Sequence, residues 1–187
     1  MTFAEYMELM RLQMVATDET GRMTQPGTPF ATLLNQRMMR NLQSYVVSPE
    51  LKKLVSRIIE PQDWMVLTEP SCGDSSQMIP ILARIAECNA RIKLDLVLRD
   101  QNPQLMDAYL TEGKRSIPKL VCFDRNRKEL FRWGPRPKPA QALFEKTLQE
   151  GHSKAIALER VHLFYAKDKG KTVEEEFLML LQGKELD

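Results

Sequence analysis

Cysteine is scarce in this sequence, with three in 187 residues, spaced 16 and 34 apart. An odd number at such spacings makes neither a disulfide framework nor a zinc site, so a reducing, cytoplasmic setting is the default expectation. Histidine is scarcer still. Neither His152 nor His162 has a partner pattern, and both are expected to be structural or solvated. An excess of one charge is missing too: 27 Lys and Arg against 25 Asp and Glu leave a net +2. Composition therefore gives no electrostatic argument for binding nucleic acid or a membrane surface. The uncharged apolar runs are short, as in MIPILA at 78–83, far from the roughly 20 residues of a membrane span. The start, MTFAEYMELMRLQM, sets acidic residues inside an apolar pattern and lacks the small-residue cleavage site of a secretory signal. Repeats, low-complexity tracts, a phosphate loop, a metal-ligand cluster and a nucleophile elbow are all absent from the sequence, and no metal or cofactor is expected.

What remains is an ordinary globular composition, 43% hydrophobic and 28% charged. The eleven methionines read as adaptable core packing. Phe3, Tyr6, Met7, Met10 and Met14 recur at helical spacing before DETGR and QPGTP interrupt. A second helix is expected from Thr28-Pro29, with Pro29 in its first turn and a stripe of Phe30, Leu33, Leu34, Met38, Leu42 and Tyr45. SPEL opens a third, capped by Ser48, with Leu51, Leu54, Val55 and Ile58 along one face.

From Asp63 the texture changes. DWMVLTE reads as a strand, followed by a helix with Met78, Ile81, Leu82 and Ile85 on one face, then the alternating strand IKLDLVLR. NPQLMDAYLTEG predicts a helix capped by Asn102 and stopped at Gly113. IPKLVCFD and KELFRWG predict two strands joined by the turn DRNR, and KPAQALFEKTLQEG another helix. Ser153 to Gln182 predicts two helices broken at Gly170, the last capped by Thr172 over Val173, Phe177, Leu180 and Leu181. This alternation predicts a layered α/β sandwich with a mixed sheet: a right-handed parallel crossover first, then an antiparallel hairpin. Helical segments extend the core on both sides, giving 1–60, 61–151 and 152–187 as extension, core and extension of one compact domain. In such sheets chemistry collects beyond the carboxyl ends of the parallel strands.

Cys72, in TEPSCGDSSQMIP, stands at the end of the first of those strands, where a helix begins. Unpaired N–H groups and the helix dipole stabilise a thiolate there, lowering the thiol pKa. Ser75, one helical turn on, offers a hydroxyl to the sulfur. It cannot attack a mixed disulfide as a second cysteine would. The Asp74 carboxylate favours the helix start yet opposes a thiolate. The alternative is a small, half-buried cap residue without reactivity. Cys88 and Cys122 read as buried structural residues.

CGDSSQMIP also resembles the active-site segment of thioredoxins, with Pro80 eight residues after Cys72 in the family's spacing. RSIPKLVCFD is similar to the strand that thioredoxins open with a cis-proline facing the active site, which assigns that role to Ile117-Pro118. The resemblance covers about 63–151 and implies the thioredoxin fold. Further likeness in EPSCGDS, LRDQNPQLMDAYL, SIPKL, WGPRP and LFYAKDKGKTVEEEF points to a bacterial branch with helical extensions, many of whose members lack the second active-site cysteine. About the function of that branch the resemblance says little.

Against the thioredoxin pattern, Ser75 replaces the resolving cysteine, Ser71 the usual tryptophan, and Val66 a buried acid that helps move protons. EPSCGDS is also similar to monothiol glutaredoxins, which bind glutathione and an iron–sulfur cluster. Their lysine upstream of the cysteine is missing, and RWGPRP replaces their glycine-glycine-acidic segment. Arg132, Trp133 and Arg136 suggest a recognition rim for an anionic or peptide partner, unless Trp133 packs under the C-terminal helices. The resemblance implies one-cysteine thiol–disulfide exchange: Cys72 and Ser75 are catalytic, Gly73, Asp74, Ile117 and Pro118 bind substrate, and an external thiol resolves. The client would be a protein or small-molecule thiol or disulfide, with no nucleic acid or membrane partner. A non-catalytic interaction module using the same face is the competing reading.

Overall fold

The computed structural model describes residues 1–13, 15–17, 23–26 and 28–186. Helix α1 (Phe3–Gln13) opens on a reciprocal cap: Thr2 N–H donates to Glu5 Oε2, and Glu5 N–H to Thr2 Oγ1. It buries Tyr6 and Met10; Met14 lies outside the described residues. Two short strands, β1 (Val15–Thr17) and β2 (Met23–Pro26), pair antiparallel where the sequence suggested only an interruption. Strands this short carry too few residues for a periodic signal.

Helix α2 (Pro29–Ser44) is capped by Thr28 Oγ1, which accepts from Ala31 N–H. Its stripe divides. Leu34, Met38 and Tyr45 are buried, whereas Phe30 and Leu33 are 54% and 40% exposed. The first turns of α2 run past the core and stand over a cleft, so the expectation of one continuous buried face fails there. Helix α3 (Pro49–Val55) follows, with Ser48 accepting from Leu51 N–H as its cap.

The central unit comprises β3 (Gln62–Thr68), α4 (Gly73–Ala86), β4 (Ile92–Leu98), α5 (Pro103–Asp107), β5 (Lys119–Asp124), β6 (Glu129–Trp133) and α6 (Lys138–Gln149). The sheet order is β4-β3-β5-β6. β3 and β4 run parallel, and β3–β5 and β5–β6 antiparallel. Crossover and hairpin thus stand where the sequence predicts them. In the hairpin turn, Asp124 Oδ1 accepts the N–H groups of Asn126 and Lys128.

Helix α4 is buried on every side rather than along one face. The sheet covers part of it and α2 another part, where Asn41 Nδ2 donates to Gln77 Oε1 at 2.7 Å. Helix α5 is much shorter than predicted. Asn102 precedes it without a side-chain cap bond, and its Nδ2 donates to Leu98 O. The chain then turns through Glu112 and Gly113, both at positive φ, well beyond the helix end. Helices α7 (Lys154–Asp168) and α8 (Lys171–Leu180) close the fold. The cap of α8 is Gly170, at φ +86, rather than Thr172, whose N–H donates to Asp168. Tyr6, Met38, Trp64, Leu82, Val161 and Phe177 share one core, so helices from both ends pack onto the sheet unit. Among the described residues no helix is long and apolar enough to cross a membrane.

Candidate active site at the start of α4

Cys72 is the N-cap of α4, in extended backbone geometry. Its Sγ accepts the Ser75 N–H at 3.4 Å and lies 3.5 Å from Ile117 O. The end of β3 and the start of β5 thereby bring Cys72, Ile117 and Pro118 together. The Ile117–Pro118 peptide is cis, and both residues are buried. Gly134, at φ +100, lies against the Pro118 carbonyl so closely that a Cβ there would sit 2.3 Å from its oxygen. Gly73 plays a similar part toward α7, since a Cβ would stand 3.0 Å from His162 Nε2.

Behind the sulfur runs a chain of buried hydroxyls. Thr68 Oγ1 donates to Ser75 Oγ at 2.8 Å, and Tyr6 OH lies 3.2 Å from Thr68 Oγ1. With the Thr68 proton given to Ser75, Tyr6 must donate to Thr68, and the Ser75 proton is left for the sulfur. All three residues are fully buried. Val66, also fully buried, lies one pleat before Thr68 on β3, so hydroxyls rather than a carboxylate serve this side of the site.

On the other side Asp74, 5% exposed, accepts from Tyr165 OH at 2.8 Å and pairs with Arg136 at 2.7 Å. The Arg136 guanidinium also donates to Gln141 and lies 4.2 Å from the Phe144 ring centre. Arg136 is therefore turned inward, and the expected rim does not form. Trp133, 2% exposed, packs 5.8 Å from Phe177 and donates to Glu176 at 2.6 Å, beneath α8. Arg132 pairs with Glu129.

Burial, then the Asp74 carboxylate, pushes the Cys72 thiol above its ordinary value, outweighing its hydrogen bonds to Ser75. The lowered value expected from the helix start is reversed, because neighbouring helices enclose that start. His162 is pulled down to about 4, by burial first and by Arg37 second, so its imidazole is neutral at pH 7. Its Nε2 lies 3.1 Å from Arg37 Nη1 and must accept there, which places the ring proton on the buried, unpartnered Nδ1. Burial also pushes up Cys88, which donates to Arg84 O, and lifts Cys122 to about 12.

Cys72, Gly73 and Asp74 open into a cleft of about 1080 Å³ between α2 and α7. Arg37 and Tyr165 went unnoticed in the sequence, and His162 reads there only as structural or solvated. Arg37 with Arg40, and His162 with Tyr165, each share a helix face at three-residue spacing, but only tertiary packing carries those faces to Cys72. Among the described residues no group of three His, Cys, Asp or Glu side chains is placed to hold a metal ion.

Comparison with known proteins bears on the fold and the family. No curated protein matches the chain. A solved protein of unknown function from Pseudomonas aeruginosa superposes with a TM-score of 0.60 at 18% identity, over 98% of each chain. An HIV epitope-scaffold superposes at 0.60 and 15% identity, over 99% of this chain and 100% of its own. Both likenesses concern the fold. The sequence model described as thioredoxin matches residues 29–150, which takes in α2, the whole four-stranded sheet and α6. The chain belongs to the thioredoxin family.

Proposed function

We propose that this protein is a cytoplasmic, one-cysteine thiol–disulfide exchanger. The Cys72 thiolate attacks a client disulfide. A new Sγ–S bond forms, the client S–S bond breaks, and the departing sulfur leaves as thiolate. An external thiol then attacks the mixed disulfide and frees Cys72. The observation that carries this reading is Cys72 Sγ at 3.5 Å from Ile117 O, beside Pro118, with its residue lining an open cleft. Ser75 supports the thiolate by hydrogen bonding and cannot resolve the intermediate. Asp74 and Gly73 shape the approach, and Ile117 and Pro118 form the opposite wall. Cys88 sits past the far end of α4, about 24 Å along the helix axis, beyond disulfide reach.

The raised thiol pKa favours a second reading, an interaction module that uses the same face without turnover. A disulfide-reduction assay separates the two. Position 75 is one turn from Cys72, so Ser75→Cys places a resolving thiol within bonding distance. Wild type should reduce a protein disulfide slowly and accumulate mixed disulfide, and Ser75→Cys should turn over faster. If neither protein forms an adduct at Cys72, the module is the correct reading.

A further inference from the structure

We propose that the cleft between α2 and α7 binds a small polyanionic thiol or its disulfide, bearing carboxylate or phosphate groups, and presents its sulfur to Cys72. This rests on the exchange reading and names the client.

Seven cationic side chains line the cleft against two carboxylates, in a chain whose total charge is only +2. One of those carboxylates, Asp74, is held by Arg136. Among the described residues Arg37, Arg40, Lys114 and Lys154 have no carboxylate within ion-pair distance. Arg37 and Arg40 meet neutral partners instead, His162 Nε2 and Gln77 Oε1. Burial and its neighbour Arg40 both disfavour the charged form of Arg37, a strain that a bound anion relieves. Unmatched charge of one sign in a concave, partly desolvated site raises the local concentration of the opposite ion.

The shape selects a small molecule. The cations approach from three sides: α2, the start of α7 and the 114–115 turn. They converge on a space of about 1080 Å³, the upper end of what a small-molecule site offers. Exposed Phe30, Leu33 and Leu163 stand at its edge and supply apolar surface for a carbon skeleton. In the reaction the bound disulfide is the oxidant. One of its sulfurs bonds to Cys72 Sγ, and the other departs as a thiolate with the bonding electron pair.

The test compares rates of Cys72 modification, read by intact mass, for four aliphatic disulfides. These are dithiodisuccinate, the bis(phosphate monoester) of hydroxyethyl disulfide, neutral hydroxyethyl disulfide and cationic cystamine. Each is referred to the same reaction of the denatured chain, which removes differences in leaving group. The anionic-to-cationic ratio should exceed that of the denatured chain about tenfold or more, and should fall with added salt. Whether the succinate or the phosphate compound leads tells which anion is read. Lys114→Glu combined with Lys154→Glu, both at exposed positions, should abolish the preference; Lys128→Glu, at the far hairpin turn, should preserve it. Equal ratios in folded and denatured protein would overturn the proposal while leaving exchange intact. The disulfide of an acidic peptide is run alongside these four, and a preference for it alone would overturn the proposal in favour of a protein client. In Cys72→Ser, calorimetry with methylthiosuccinate reads the cleft without chemistry. Binding there, with no disulfide reacting at wild-type Cys72, would uphold the anion site and remove the exchange reading.

Discussion

At Cys72 two pairs of influences oppose one another. The helix start and Ser75 favour the thiolate; burial and the Asp74 carboxylate oppose it and prevail. Alkylation of Cys72 should therefore be slow at pH 7 and still rising above the ordinary thiol value of about 8.5. Asp74→Asn should lower the midpoint, since it removes the carboxylate charge that opposes the thiolate. Ser75→Ala should raise it. An unchanged midpoint in Asp74→Asn, measured by iodoacetamide rate against pH, would contradict this account of the thiol. The sequence made the sign of the Asp74 effect readable, because adjacency alone places it near the cap. It did not reveal the burial, which depends on α2 and α7 arriving from opposite ends of the chain.

Among the elements, the loop after β6 fixes how closely the chain can approach Pro118. Gly134→Ala puts a Cβ 2.3 Å from a backbone oxygen and imposes a side chain at φ +100. It should lower unfolding stability by about 2 kcal/mol or more, measured by chemical denaturation. Gly113→Ala, at φ +73 with nothing within 4 Å, should be tolerated better. Equal losses would show that close approach at Gly134 is unimportant. Elements with long apolar periodicity or a local cap were legible: α2 and α3 begin at the proline-bearing turns the sequence marks. Elements decided by a few residues were not. β1 and β2 lacked a period, and α5 spans only Pro103–Asp107, with no side-chain cap bond from Asn102. The dual reading of Trp133 was settled by Phe177 and Glu176 from α8, more than 40 residues away.

For the whole molecule, helices from both ends complete the core and wall the cleft, so site and stability share residues. His162 shows the link. Its pKa falls from 6.5 to about 4 on folding, so its contribution to stability is present above pH 6.5 and is lost as pH falls toward 4. Acidification across that window should cost on the order of 2–3 kcal/mol through this residue. Glu176, raised by burial, works the other way, disfavouring the fold as pH rises and its proton is lost. Comparing denaturation of wild type and His162→Gln at pH 7 and pH 4.5 isolates the histidine; parallel losses would contradict its assigned role. The fold was legible from CGDSSQMIP, Ile117-Pro118 and the strand–helix order, which are local patterns. The cleft was not, because Arg37, Lys114 and Lys154 converge only after packing. The most direct test of one-cysteine exchange is the intact mass of wild-type protein after mixing with hydroxyethyl disulfide and removal of the excess. The account predicts a single adduct at Cys72 that persists until a thiol is added, and its replacement by an internal disulfide in Ser75→Cys. An unmodified Cys72, or a wild-type adduct that disappears without added thiol, would contradict it.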